Sequence, residues 1–410
     1  MSKINILVVY NDNSGGVGFY RSKQPHDKLL DLYNEDYNIV FTTTPNWLNL
    51  DEFSLYDIIH IHNGIYANDS DFLKALNFFK EKDIKVVIDL DDHWKMESSR
   101  DSYFFNKINQ IPERIVRNIK LADYVTTTTE LFAEEIRVHN KNVIVLPNAI
   151  DPTDDRFKVE KTYSDKLRVG FVMGSSHRKD VEIMNGFIQK MDKNLRDKVE
   201  FVLCGFDINC YVRTINEKGM VHTEMIHPSK SVWGFYEKLI TNDYKDVSKH
   251  YREFLLKYAP NLEYPYHEEE GYRRCWTKSI DEYYQHYRNI DVLLAPLNVS
   301  PFNKVKSQLK VIEAAFSKTA IIASNFGPYT IDLKNLFEKG GAINENGNAI
   351  LIDENKNHKD WSKAIEKLVK NPDLLTKLQN NLYNDITPKY SLIEVSKDRD
   401  KFYKQIIENK

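Results

Sequence analysis

Three side chains in the last third of the chain, Lys306, Lys310 and Glu313, recur at intervals of four and three residues. That spacing sets two ammonium groups and a carboxylate on one face of a helix. They follow Ala295-Pro296-Leu297 and Pro301-Phe302-Asn303, so the expected helix opens from a loop, with Lys306 and Ser307 at its start. Amides at a helix start, with lysines beside them, suit a diphosphate. A carboxylate two turns along suits the paired hydroxyls of a ribose. The competing reading is a surface ladder of ion pairs.

Further upstream, Gly170-Phe171-Val172-Met173-Gly174-Ser175-Ser176 leads into His177-Arg178-Lys179-Asp180. Small residues admit a ligand close to the backbone, and Arg178 and Lys179 could neutralise a diphosphate. They could equally form a solvated charge cluster. Near the N-terminus, Gly15-Gly16-Val17-Gly18-Phe19-Tyr20-Arg21 continues Asn13-Ser14. Gly16 and Gly18 would let backbone N–H groups approach a phosphate and Arg21 would add a fork of donors, unless the run is simply a tight turn. It lacks the third glycine of a dinucleotide fingerprint, which argues against a nicotinamide enzyme.

A fourth cluster is Asp89-Leu90-Asp91-Asp92-His93-Trp94. Three carboxylates and an imidazole at a strand's carboxyl end could hold sugar hydroxyls, an acceptor or a cation; Asp91 or Asp92 could instead cap a helix. Three neighbouring acids repel one another and need a local reason. His60 and His62 alternate on the strand Ile58 to His62, and either could be a ligand or a satisfied core residue.

Short apolar runs must position these groups. Ile4 to Tyr10, Tyr37 to Thr42, Ile58 to His62, Lys85 to Leu90, Tyr124 to Thr127 and Val143 to Leu146 lack polar alternation, the mark of strands covered on both faces. Helical patterns such as Phe72-Leu73-Leu76-Phe79 separate them, which predicts a parallel doubly wound sheet. The series restarts with Leu167 to Met173, Val199 to Cys204, Val292 to Ala295, Ala320 to Ala323 and Ala349 to Ile352. This predicts an α/β fold of two Rossmann-like domains, 1–150 and 167–385, joined by a linker over 151–166, with a ligand cleft facing the carboxyl ends of both sheets. Residues 205–280 read as a helical insertion, with patterns at Trp233 to Ile240 and Tyr251 to Tyr258, and 386–410 as a C-terminal helix.

The 410 residues suffice for two cores, and 41% hydrophobic with 29% charged residues is a folded composition. A net charge of −3 supplies no global field toward nucleic acid or anionic lipid. Cys204, Cys210 and Cys275 lack close Cys-x-x-Cys spacing, so reduced structural thiols are expected. The first apolar run is too short for a signal peptide and no run reaches 18 apolar residues, so the chain is expected in the cytoplasm, at a membrane surface only if its acceptor is a lipid.

On these residues the chain resembles the retaining GT-B glycosyltransferases of the family-4 group. Ala122-Asp123-Tyr124-Val125 with Val145-Leu146-Pro147-Asn148-Ala149-Ile150-Asp151 is similar to that group's segment before its linker, Ala149 standing for a glycine. Glu313-Ala314-Ala315 through Ala323-Ser324-Asn325-Phe326-Gly327 resembles its Glu-Ala block, and Asn346-Gly347-Asn348-Ala349 a later motif. The resemblance implies a GT-B fold and transfer from a UDP- or GDP-sugar with retention. It implies that Glu313 binds the donor ribose, and that Arg178, Lys179 and the amides of Lys306 to Gln308 bind the diphosphate. Gly15 to Gly18 would lie beside the phosphates. Two positions depart from the group: Val305 stands where a second glutamate touches the sugar, and Asp91 where a histidine is usual.

The expected catalytic residues are therefore Asp91, Asp92 and Lys306, with donor binding by Gly16, Gly18, Arg21, Arg178, Lys179, Ser307, Lys310 and Glu313. No cofactor or metal is expected. The acceptor would be a glycan, lipid or protein. Two alternatives are a virus-type transferase acting on modified DNA bases, for which Arg273 and Arg274 would form a basic face, and a non-catalytic binding protein of the same fold.

Overall fold

The structure, a computed structural model, describes residues 3–10, 15–63, 69–95, 107, 109–207, 211–215, 220–226, 230–241, 272–354 and 358–409. The expectations placed on Asn13, Ser14, Cys210 and the pattern over 251–258 lie outside them. The chain divides into two compact units. The first comprises Met1–Asp151, Lys304–Leu309 and Pro388–Lys410, and the second Pro152–Asn303 and Lys310–Thr387. Residues 304–309, expected with the second domain, thus belong to the first, although both their neighbours belong to the second. The helix Leu392–Glu408 also returns to the first unit.

The first unit is built on six parallel strands, β1 (Ile4–Val9), β2 (Tyr37–Thr42), β3 (Ile58–His62), β4 (Lys85–Leu90), β5 (Tyr124–Thr127) and β6 (Val143–Val145). Their order is β2-β1-β3-β4-β5-β6, which makes the gap between β1 and β3 the point where strand order reverses. Both faces are covered, as the unalternating sequence requires. Leu7 and Val9 of β1 pack with Phe53, Phe72 and Phe79 on one face. Ile6 and Val8 pack with Leu29, Phe402, Tyr403 and Ile406 on the other, so the C-terminal helix closes that layer.

In the second unit the strands are β7 (Leu167–Val172), β8 (Val199–Phe206), β9 (Tyr211–Ile215), β10 (Val221–Met225), β11 (Tyr272–Trp276), β12 (Val292–Ala295), β13 (Ala320–Ser324) and β14 (Ile350–Ile352). Six of them form a parallel sheet ordered β11-β8-β7-β12-β13-β14, with its switch point between β7 and β12. Val169, Phe171, Phe201 and Leu203 pack there with Trp233, Tyr236, Trp361 and Ile365.

The stretch 205–280 is not simply helical. It holds the helix Val232–Thr241, but also an antiparallel hairpin of β9 and β10, and β11 joins the main sheet beside β8. The sequence hides β11 because Arg273 and Arg274 interrupt its apolar run. Glu200 and Glu237 neutralise them, with contacts of 3.1 and 2.6 Å. Opposite Trp276, β8 carries one extra residue, Gly205, at φ +98°, and a Cβ there would lie 2.5 Å from the Met173 carbonyl oxygen. Only glycine fits this bulge.

Candidate functional site

In the second unit the loops leaving β7 and β12 flank the switch point, where open parallel sheets bind ligands. Asp180 ties these loops together. Its Oδ1 accepts from the Asn298 amide at 3.0 Å and from Asn303 Nδ2 at 2.8 Å, while Oδ2 lies 2.9 Å from His177 Nδ1. Gly174 has open space where a side chain would stand. Arg178 and Lys179 begin the short helix Arg178–Glu182 and are largely exposed, each 3.1 Å from Glu182. Such solvated pairs contribute little stability, so both cations can be re-partnered at small cost. A cavity of about 260 Å³ lies at the carboxyl ends of β12, β13 and β14, lined among others by Asn298, Ser324, Phe326 and Asp353.

The helix with the expected Lys-Glu face spans Leu309–Phe316, so Lys306 and Ser307 precede it rather than open it. Lys310 and Glu313 do share a face: Lys310 Nζ donates to Glu313 Oε2 at 3.1 Å and to the Tyr283 hydroxyl at 2.5 Å. Tyr287 donates to the same carboxylate oxygen at 2.8 Å. Glu313 is fully buried, so this is no surface ladder. Burial pulls the Lys310 ammonium down, and the charges of Glu313 and Tyr283 outweigh it, leaving its pKa above the ordinary lysine value. Tyr283 and Tyr287 lie in a turn of 3-10 helix, Tyr283–Asn289, and the sequence reading passed over them because a tyrosine-rich stretch reads as packing.

The first unit rearranges the N-terminal expectations. Gly16–Gly18 forms one helical turn that runs through a wider π-helical stretch, Phe19–Lys23, into the helix Gln24–Leu32. Arg21 does not point to a ligand. It is 1% exposed, and its fork grips Asp89, with Nε to Oδ2 at 3.0 Å and Nη2 to Oδ1 at 2.6 Å. Its Nη1 donates to the Leu146 carbonyl at 2.7 Å and to Asn148 Oδ1 at 3.1 Å. Asp89 is likewise turned inward and also accepts from Thr126 at 2.6 Å. Burial raises the Asp89 pKa, but Arg21 overrides this and holds the carboxyl below the usual range.

The acidic cluster is thereby dispersed, which resolves its repulsion. Asp91 is partly exposed and pairs with His62, Nε2 to Oδ1 at 3.1 Å. Burial disfavours the His62 imidazolium, and the hydrogen bond and charge of Asp91 more than compensate, so its pKa is raised. Asp92 is exposed. His60 goes elsewhere: its Nδ1 lies 2.9 Å from the Tyr403 hydroxyl, which is 2.7 Å from His26 Nε2.

Lys306 and Ser307 sit in the segment 304–309, which side chains of the first unit fasten in place. Lys304 Nζ lies 3.6 Å from Glu135, Val305 is buried in the core with Phe132 and Ile136, and Gln308 donates to the Tyr390 hydroxyl. Asn148 Nδ2 donates to Ser307 Oγ at 3.1 Å. Val305, standing where the resembled group has a glutamate, therefore serves as a hydrophobic anchor.

No protein-family model and no curated protein sequence matches the chain. Solved structures do. Anabaena HepE in complex with UDP and glucose is similar at TM-score 0.56 and 12% identity, over 98% of this chain and 100% of that one. An α,α-trehalose-phosphate synthase (UDP-forming) from Burkholderia vietnamiensis matches at 0.55 and 10%, over 99% and 97%. The catalytic domain of starch synthase IV from Arabidopsis thaliana, bound to ADP and acarbose, matches at 0.55 and 11%, over 100% of both chains. Two successive parallel sheets, each with a switch point, and likeness over nearly the whole length of these proteins lead to one conclusion: the chain has the GT-B fold of the glycosyltransferases.

Proposed function

We propose that this protein is a glycosyltransferase that takes its sugar from a nucleoside diphosphate, UDP or GDP, and transfers it with retention at the anomeric carbon. The observation that carries the reading is the switch point of the second sheet. There, Arg178 and Lys179 are largely exposed cations in weak pairs with Glu182, Arg178 also lying over the Phe235 ring, and Asp180 braces the two flanking loops.

As the bond from the sugar to the diphosphate breaks, negative charge grows on the departing phosphate oxygens. Arg178, Lys179 and Lys306 supply the compensating charge, and fixed donors aimed at developing charge are the strongest lever of catalysis. The amides of Lys306 to Gln308 add dipoles to the same group. Gly16, exposed on the first helical turn, approaches the phosphates without a side chain in the way, while Gly18 is buried behind it. Glu313, pre-set by Lys310 and Tyr287, takes the ribose hydroxyls. Asp91, held by His62, orients a hydroxyl of the sugar or the acceptor, with Asp92 beside it in the sequence. The acceptor is a glycan, a lipid or a protein. The neighbours named for UDP, UDP-forming or ADP-bound states support a nucleotide donor.

Action on modified DNA bases draws no support from Arg273 and Arg274. Arg274 is buried against Glu237 and Arg273 is paired with Glu200, so neither builds an exposed basic face. Among the described residues no helix is long and apolar enough to cross a membrane.

The test is a thermal-shift panel of UDP-, GDP-, ADP- and CMP-sugars on the full chain. A donor at 100 times its Kd stabilises the folded state by about 2.7 kcal/mol. One class of nucleotide should raise the melting temperature, and mass spectrometry should then find free nucleoside diphosphate after incubation with acceptor mixtures. A flat response to every donor would sink the reading in favour of a non-catalytic binding protein.

A further inference from the structure

We propose that Asn148 is the positioning residue of the segment 304–309. The proposal rests on the reading of that segment as a diphosphate-binding loop. The buried Arg21–Asp89 pair is the foundation, because Asp89 takes two of Arg21's nitrogens and Leu146 a third. Arg21 Nη1 then reaches Asn148 Oδ1 at 3.1 Å. This contact settles the orientation of the carboxamide, since a guanidinium only donates and the oxygen must face it. The amide nitrogen is left pointing the other way, where it donates to Ser307 Oγ at 3.1 Å.

A chain of charge and hydrogen bonds thus runs from β4 through the helix after β1 and the Pro147-Asn148-Ala149 turn to Ser307. Asn148 is 5% exposed, so its two bonds are not traded with solvent. Val305 and Gln308 hold the segment at a core contact and at the Tyr390 hydroxyl. Ser307 lies between these fixed points and next to Lys306, so its hydroxyl sets how the amides of 306–308 are presented. An aspartate could not serve at 148 in the same way, because it has no N–H to offer Ser307.

Asn148→Ala is the direct test, with Asn148→Ser, too short to span both bonds, as the second variant should the first fail to fold. Hydrogen–deuterium exchange on the full-length chain reads the segment, and titration with UDP and GDP reads the site. The expected result is faster exchange over 304–309, unchanged exchange on β1 and β4, and affinity for UDP or GDP weaker by about two- to tenfold, the loss of one neutral hydrogen bond. Unchanged exchange in that segment, or loosening spread evenly over the unit, would overturn the positioning role. If the wild type binds neither UDP nor GDP while the variant still loosens 304–309, the donor reading fails and takes the proposed purpose of the segment with it. The exchange data tell that failure apart from failure of the tether.

Discussion

Replacing Arg21 by Met tests the reassignment of this residue from ligand to foundation. Arg21 and Asp89 are 1% and 0% exposed and meet through two nitrogen–oxygen contacts of 2.6 and 3.0 Å. Removing one partner of a buried pair strands the other charge and costs about 3–5 kcal/mol. For a unit of roughly 180 residues, at about 2–4 °C per kcal/mol, the melting temperature should fall by about 6–20 °C. Asp89→Asn should cost a comparable amount. The double variant Arg21→Met with Asp89→Leu should cost clearly less than the sum, since no charge is left stranded.

The sign of the pH effect follows from the same picture. In the wild type Arg21 holds the Asp89 pKa low, so the pair's stabilisation is present above the ordinary carboxylate range and is lost only in acid. In the Arg21→Met protein, Asp89 is a buried lone carboxylate whose pKa must rise. The stability gap to the wild type should then narrow between pH 7 and pH 5, as protonation removes the stranded charge. Differential scanning calorimetry measures the loss, and the exposed pair Lys23–Asp27, at 2.7 Å, is the control, worth at most about 1 kcal/mol. A loss below about 1 kcal/mol for Arg21→Met, or strict additivity in the cycle, would refute the account.

Glu313→Gln removes the counter-charge of Lys310 while keeping shape. It should destabilise the second unit by about 3 kcal/mol and abolish measurable donor binding, which calorimetry and titration check separately. Arg178→Ala and Lys179→Ala should change stability by no more than about 0.5 kcal/mol, yet each should weaken UDP or GDP binding; unaltered affinity would remove them from the site. Burial holds His26 well below its ordinary pKa, His60 and His286 at about 3 and His93 at about 4. These groups stay neutral when folded and protonate when unfolded, so their stabilisation is full above pH 6.5 and should decline by about 1.4 kcal/mol per pH unit for each on acidification. His62, with its raised pKa, keeps its stabilisation in full below about pH 6.5 and loses it only as the pH rises above that, so it does not offset this decline. Urea titrations from pH 7.5 to 5 would show the net loss.

Much of the architecture was legible because parallel strands buried on both faces announce themselves as unbroken apolar runs. Tyr37–Thr42, Ile58–His62, Lys85–Leu90, Tyr124–Thr127 and Val292–Ala295 were read to the residue. The Lys310–Glu313 pair was legible for a similar reason, since helical periodicity is local and fixes which side chains share a face. β11 was not, because charged residues neutralised from other elements look like loop until their partners are known.

The same limit governs the site. Sequence supplied Arg21, Asp89 and Asn148 as chemical types, but whether an arginine serves a ligand or a buried carboxylate depends on what lies 68 and 127 residues away. Only the folded chain decided that Asp89 turns inward while Asp91 meets His62, and that Val305 anchors 304–309 to the first unit's core. Periodicity encodes the face of an element; the partner across space is set by how the elements pack, and no short-range pattern carries that information.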